Sequence, residues 1–190
     1  LLDYESRLTK LSRSSKDVVE RYYNCSTNFL WIGERTSKHN EAHVEYFRGI
    51  RNPVGIKIGP KSDPKEIVKS IKLLNPDNEL GKLTLILRLG AKNVTDTLPA
   101  IIEEVVKNKL NVVWVSDAVH GNTYTNDCNF KVRQVDTILE ELNLVYVILT
   151  KTEQVFGGIH IETSGDNVTE CLGGITRVAD DDLFTNYATY

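Results

Sequence analysis

The sequence predicts an α/β fold, the C-terminal portion (about five βα units) of a (β/α)8 TIM barrel that is incomplete in this chain. Three observations lead there. Five short apolar runs end in Trp31-Ile32-Gly33-Glu34-Arg35, Gly55-Ile56-Lys57, Leu85-Ile86-Leu87-Arg88, Trp114-Val115-Ser116-Asp117 and Ile159-His160-Ile161-Glu162. They recur at intervals of roughly 25–40 residues with amphipathic stretches between them, the rhythm of successive βα units. Each run also closes on a residue able to do chemistry, and a parallel barrel gathers the C-terminal ends of its strands on the face that holds the active site.

In chain order, residues 4–23 read as a helix, with Tyr4, Leu8, Leu11, Val18, Val19 and Tyr22 spaced for one face. Phe29–Ile32 is strand-like, being aromatic and β-branched. A polar stretch, Thr36–Glu45, precedes the strand Pro53–Ile58. Ser62-Asp63-Pro64 starts a helix, Ile67, Ile71 and Leu74 mark its inner face, and Asn75-Pro76-Asp77-Asn78 stops it. Leu83–Leu87 is a continuous apolar run, as expected of a strand covered on both faces. A helix over Thr97–Lys107 carries Leu98, Ile101, Ile102, Val105 and Val106 inward; the strand Val112–Val115, the helix Val135–Leu142 and the strand Gly158–Ile161 follow. Asp180–Tyr190 is a short terminal segment.

The bulk properties exclude several classes. A net charge of −3 over 190 residues provides no basic field for nucleic acid and no polybasic face for membranes. No apolar run approaches the ~20 residues that span a bilayer. Cys25, Cys128 and Cys171 are odd in number, far apart and without a CxxC pair, so reduced thiols are expected. The absence of methionine, and a length short of the ~250 residues of a complete barrel, lead us to expect a fragment or processed piece, with residues 1–190 as one partial barrel domain.

The candidate chemistry sits at the run ends. His160 and Glu162 are two apart on one predicted strand and so face one side. Taken alone such a pair is more often a solvated strand end; facing a barrel interior, its carboxylate needs a metal, a proton or a cation. His120 opens a His-Gly-Asn-Thr loop just after a strand and an aspartate. With Glu162 it makes half of a mixed nitrogen–oxygen divalent site. Lys57 and Arg88 end very apolar strands, either snorkelling there or clamping a phosphate, Arg as a fork and Lys as a point charge. Glu34 and Arg35 form an ion pair on the rim, or Glu34 orients the cations while Arg35 joins the anion site. Lys131 and Arg133 are two further positive groups, as fit for the surface as for a site.

Phe29-Leu30-Trp31-Ile32-Gly33-Glu34-Arg35-Thr36, Gly55-Ile56-Lys57, Arg88-Leu89-Gly90-Ala91, Asp117…His120-Gly121-Asn122-Thr123 and Gly157-Gly158-Ile159-His160-Ile161-Glu162 together resemble the class II (plant-type) 3-deoxy-D-arabino-heptulosonate 7-phosphate (DAHP) synthases. Asp166–Gly174 and the opening Leu1-Leu2-Asp3-Tyr4-Glu5 extend the resemblance over nearly the whole chain. The resemblance implies a transferase that condenses phosphoenolpyruvate with D-erythrose 4-phosphate and water to DAHP and phosphate. That is the first step of the shikimate pathway, leading to chorismate and aromatic amino acids. It implies a (β/α)8 barrel and a divalent metal, Mn2+ or Co2+. His120 and Glu162 correspond to metal ligands; Glu34, Arg35, Lys57 and Arg88 to the phosphoenolpyruvate site, with Lys57, His120 and Glu162 catalytic; Lys131 to the erythrose 4-phosphate side.

Further expectations follow from the family pattern. A cysteine and an aspartate ligand, and an arginine for the substrate carboxylate, are expected outside these residues, so the full-length parent is expected to be active and the piece alone inactive. Ala118-Val119 replaces the usual Pro-Met before His120, the stretch Thr36–Glu41 differs from the usual one, and Lys92 stands where an acid is common. The parent is expected to be a homo-oligomer in the cytoplasm or a plastid, with no nucleic-acid or membrane partner. The alternative is a non-catalytic remnant or regulatory homologue of the same fold.

Overall fold

The computed structural model of the protein describes residues 2–12 and 20–188. The chain runs α1 (Leu2–Arg7), β1 (Thr9–Ser12), β2 (Arg21–Asn24), β3 (Leu30–Ile32), a 3₁₀ turn (Glu34–Thr36), α2 (Ala42–Arg48), β4 (Val54–Ile58), α3 (Pro64–Leu74), β5 (Leu83–Leu87) and α4 (Ala91–Lys107). It continues through β6 (Val113–Ser116), α5 (Ala118–Gly121), β7 (Tyr124–Thr125), β8 (Lys131–Gln134), α6 (Val135–Lys151), β9 (Phe156–Ile159), β10 (Cys171–Leu172), a second 3₁₀ turn (Asp180–Asp182) and α7 (Leu183–Asn186). The result is a mixed α/β structure with parallel strands, divided into two compact units: Leu1–Ile86 with Ala100–Val113, and Leu87–Pro99 with Trp114–Tyr190.

In the first unit β3 and β4 are parallel, Trp31 opposite Gly55, and β5 lies on the other side of β4. All five residues of β4 are buried, and so are all five of β5. Two-sided burial explains their unbroken apolar runs. The N-terminus of α3 is closed by the Asp63 carboxylate, which accepts from the Lys65 N–H at 2.9 Å, with Pro64 in the first turn. Ile67, Ile71 and Leu74 are buried as their spacing predicts.

The expected helix over residues 4–23 does not form. Helix α1 ends at Arg7 and is followed by an antiparallel pair, β1–β2, in which Leu11 lies opposite Tyr22. These two residues, predicted on one helical face, instead meet across strands; Val18 and Val19 lie outside the described residues. The period-two alternation of Thr9–Ser12 and Arg21–Asn24 prevails over the helical spacing, reinforced by β-favouring Thr9, Tyr22 and Tyr23. Asn24 anchors the pair by donating to Glu5 Oε2 and Tyr46 OH, both at 2.7 Å.

Helix α4 begins at Ala91, six residues before the predicted start, and carries Pro99 in its interior. Val94, Leu98, Ile101, Ile102 and Val105 form one buried stripe that runs through the proline, whereas Val106, predicted inward, is exposed. Burial of that stripe outweighs the cost of the missing N–H. Helix α6 likewise continues to Lys151, because Val145 and Leu149 extend its buried face beyond Leu142. Sequence reading passed over α2, which begins inside the polar stretch and buries Val44 and Phe47.

In the second unit β6 and β9 are parallel, and β10, β8 and β7 form a small sheet in that order. Val132, Leu172 and Leu183 make its core, with Phe130, Val178 and Tyr187 packed around them. Strand β9 ends at Ile159 rather than Ile161, so Glu162 follows the strand instead of lying in it. The His160 N–H still donates to the Ser116 carbonyl at 2.8 Å, carrying the pairing one residue further. None of the three cysteines is in a disulfide. Among the described residues no helix is long and apolar enough to cross a membrane.

Candidate active site

In the first unit the 3₁₀ turn follows β3 directly and lifts Glu34 over the end of β4. A Cβ at Gly59 would fall 1.8 Å from Glu34 Oε1, so the carboxylate takes the space a side chain would need. Glu34 lines a cleft of about 410 Å³ together with Ile56, Ile58, Lys38, Lys61 and Ser62. Lys57 lies between Ile56 and Ile58 and so occupies the alternate face of β4. It is only 8 % exposed, and its Nζ is 6.0 Å from the centre of the Trp31 ring. That distance is the outer limit of cation–π attraction, which suits a cation held among apolar strands. Arg35 is exposed on the turn.

In the second unit a tighter constellation surrounds α5. Asp117, fully buried at the end of β6, caps this single turn, its Oδ1 accepting the His120 backbone N–H at 3.2 Å. The same oxygen lies 2.9 Å from His120 Nδ1. A carboxylate accepts only, so the Nδ1 position carries the proton and Nε2 is the nitrogen turned outward. His120 Nε2 is 3.3 Å from Glu162 Oε2. An imidazole with a carboxylate at each nitrogen needs positive charge between Nε2 and Glu162, supplied by a proton or by a metal ion. The donor set therefore fits a divalent cation: one nitrogen, one carboxylate oxygen, and an outer carboxylate orienting the ring. Among the described residues no group of three or more His, Cys, Asp or Glu side chains is gathered to hold a metal, so His120 and Glu162 constitute a pair.

Arg88, half-buried just beyond β5, donates from Nη2 to the His120 carbonyl at 3.1 Å. The loops after β5 and β6 meet closely: a Cβ on Gly90, whose φ is +79°, would fall 2.8 Å from the Gly121 carbonyl oxygen. Such contact admits only glycine at position 90. A cavity of about 70 Å³ is lined by His120, Glu162, Arg133 and Glu170. Arg133 is buried, 2.7 Å from Glu170 Oε2, and donates from Nε to Thr123 at 3.0 Å. Lys131 is exposed, and its backbone is held on both sides by the Tyr187 hydroxyl.

The second unit thus brings Arg88, His120 and Glu162 together, while Glu34, Arg35 and Lys57 belong to the first. Sequence reasoning assigned no role to Asp117, Glu141 or Glu170. Glu141 could have been found: it lies on the buried face of α6 with Val145 and Leu149, and a carboxylate in an apolar stripe calls for donors.

This arrangement, a half-buried cation, Arg88, beside an imidazole–carboxylate pair after parallel strands, is that of an α/β protein with a candidate metal half-site. The chain matches the class-II DAHP synthetase family over residues 1–190 and belongs to that family. It is 43 % identical over 202 aligned positions to the phospho-2-dehydro-3-deoxyheptonate aldolase of Neurospora crassa, covering 100 % of this chain and 42 % of that protein. It is 40 % identical to the Streptomyces coelicolor protein of the same name, covering 100 % of this chain and 41 % of that one. The phospho-2-dehydro-3-deoxyheptonate aldolase AroG of Mycolicibacterium smegmatis is also 40 % identical, with 100 % and 41 % covered. The chain spans about two fifths of the length of these curated relatives.

Proposed function

We propose that the whole protein is a 3-deoxy-7-phosphoheptulonate synthase, joining phosphoenolpyruvate to D-erythrose 4-phosphate with uptake of water and release of phosphate at the entry to the shikimate pathway. Residues 1–190 are its partial (β/α)8 barrel domain, and the full-length protein acts in the cytoplasm or a plastid as a homo-oligomer. Family membership and the relatives' names support the reaction. The His120–Glu162 pair, oriented by Asp117 and braced by Arg88, is the observation that carries it.

His120 and Glu162 are the metal-binding half-site for Mn2+ or Co2+. A divalent ion there supplies Lewis-acid polarisation of a carbonyl oxygen. Asp117 fixes the ring so that the Nε2 lone pair faces Glu162, and by accepting from Nδ1–H it raises the basicity of that outward nitrogen. Arg88 offers a planar fork suited to a phosphate, and Lys57 a point charge kept in a dry setting. Glu34 and Arg35 complete the phosphoenolpyruvate site, and Lys131 serves the erythrose 4-phosphate. These side chains do positioning and charge stabilisation, the main demand when two anionic substrates must meet.

The test is phosphate release by the longest natural form of the protein in the presence of Mn2+. Release that requires both phosphoenolpyruvate and erythrose 4-phosphate, and that EDTA abolishes, is the expected result. Release from phosphoenolpyruvate alone, or none with both substrates, would overturn the proposal.

A further inference from the structure

Helix α6 sends one acid into the junction of the two catalytic loops. Glu141 is fully buried, and its carboxylate is met by three hydrogen-bond donors. Its Oε1 accepts the Leu89 N–H at 3.0 Å, and its Oε2 accepts the Asn122 side-chain N–H at 2.6 Å. The Gly90 N–H also bonds to this carboxylate. Asn122 in turn uses its Oδ1 to accept the Ala91 N–H at 3.0 Å and its amide to hold the Ala118 carbonyl at 2.7 Å. A Cβ at Gly121 would stand 2.6 Å from Glu141 Oε2, so glycine at 121 is what lets the carboxylate approach.

We infer that Glu141, with Asn122 as its partner, is a positioning residue for the metal and phosphate groups, fastening the Arg88–Ala91 turn to the His120–Asn122 loop; the assignment rests on the metal site proposed above. The carboxylate holds the backbone N–H immediately after Arg88 and the side chain of Asn122, two residues after His120, so it sets the relative register of the fork and the imidazole. A displacement of about 1 Å in such a pair is enough to lower turnover by on the order of a hundredfold. An acceptor-only group is required: a glutamine offers one oxygen and one NH₂, and cannot accept from both the Leu89 side and the Asn122 side.

The experiment compares Glu141→Gln, Gly121→Ala and His120→Ala with the wild type in the longest natural form of the protein. Mn2+ affinity is read by titration, KM and kcat by phosphate release, and folding by thermal denaturation. Glu141→Gln is expected to stay folded, to bind Mn2+ at least tenfold more weakly and to lose kcat at least tenfold. Gly121→Ala, which displaces the carboxylate by a different route, is expected to reproduce both losses. Should Glu141→Gln fail to fold, Gly121→Ala carries the test alone. If His120→Ala loses Mn2+ binding while Glu141→Gln and Gly121→Ala both keep wild-type affinity and kcat, the positioning role is overturned and the metal site stands. If His120→Ala retains wild-type Mn2+ affinity, the metal site itself is overturned, and the positioning role falls with it.

Discussion

Asp117 Oδ1 and His120 Nδ1 lie 2.9 Å apart, and the carboxylate in that pair is fully buried. A buried carboxylate three residues from an imidazole on one short turn fixes both the tautomer and the plane of the ring. The outward nitrogen then has a single direction, toward Glu162. That one relationship turns the ring toward Glu162, a residue far away in sequence, at 3.3 Å.

Replacing the outer carboxylate tests this orientation. Asp117→Asn keeps the shape of the cap but presents an amide to Nδ1, so the ring loses its fixed tautomer. Mn2+ affinity is expected to fall about 10–100-fold, the usual cost of removing such a partner. A titration that returns the wild-type dissociation constant would show that Asp117 serves only to cap the turn.

Lys57→Ala removes a point charge kept among apolar strands. KM for phosphoenolpyruvate is expected to rise at least tenfold with Mn2+ affinity nearly unchanged. Equal losses of both would argue against a phosphate clamp at this position and for a general structural role.

Lys82 supplies a pH test. Its ammonium donates to the Ile50 and Asn52 carbonyls, and burial, aided by the nearby Arg51 charge, pushes its pKa down to about 8. Between about pH 8 and the ordinary 10.5 the unfolded chain holds this proton and the folded chain does not. Stability therefore rises with pH across that window. Relative to Lys82→Met, urea denaturation of the wild type should gain on the order of 2 kcal/mol between pH 7.5 and pH 10.5. A difference that is flat with pH would mean that the carbonyl contacts cancel the burial cost.

The α3 cap gives a prediction independent of catalysis. Asp63→Ala leaves the Lys65 N–H without its acceptor and is expected to cost about 1 kcal/mol of stability with KM and kcat unaltered. Loss of activity at unchanged stability would place Asp63, which lines the Glu34 cleft, in the binding machinery instead.

Legibility in the sequence followed the strength of local signals. β4 and β5 were plain because burial on both faces leaves no polar interruption. α3 was plain because cap, proline and apolar spacing agree. The β1–β2 pair was misread because Leu11 and Tyr22 satisfy a helical face as readily as a strand pair, and only long-range partners such as Glu5 and Tyr46 choose between them. The early start of α4 was hidden by Pro99, whose local cost is overcome by a buried stripe. At the candidate site, motif and strand-end position single out His120 and Glu162, which lie 3.3 Å apart. Asp117 and Glu141 were not assigned roles, since their importance lies in what they touch. The order of residues leaves those contacts unstated.

The most direct measurement of the central claim is pulsed electron spin resonance on the Mn2+-loaded protein, read for nitrogen coupling to the metal. The expected spectrum carries the modulation of one directly bound imidazole, absent in His120→Ala, with Mn2+ affinity sharply reduced in Glu162→Ala. A spectrum without nitrogen coupling, or one unchanged by His120→Ala, would contradict a shared ion between His120 and Glu162.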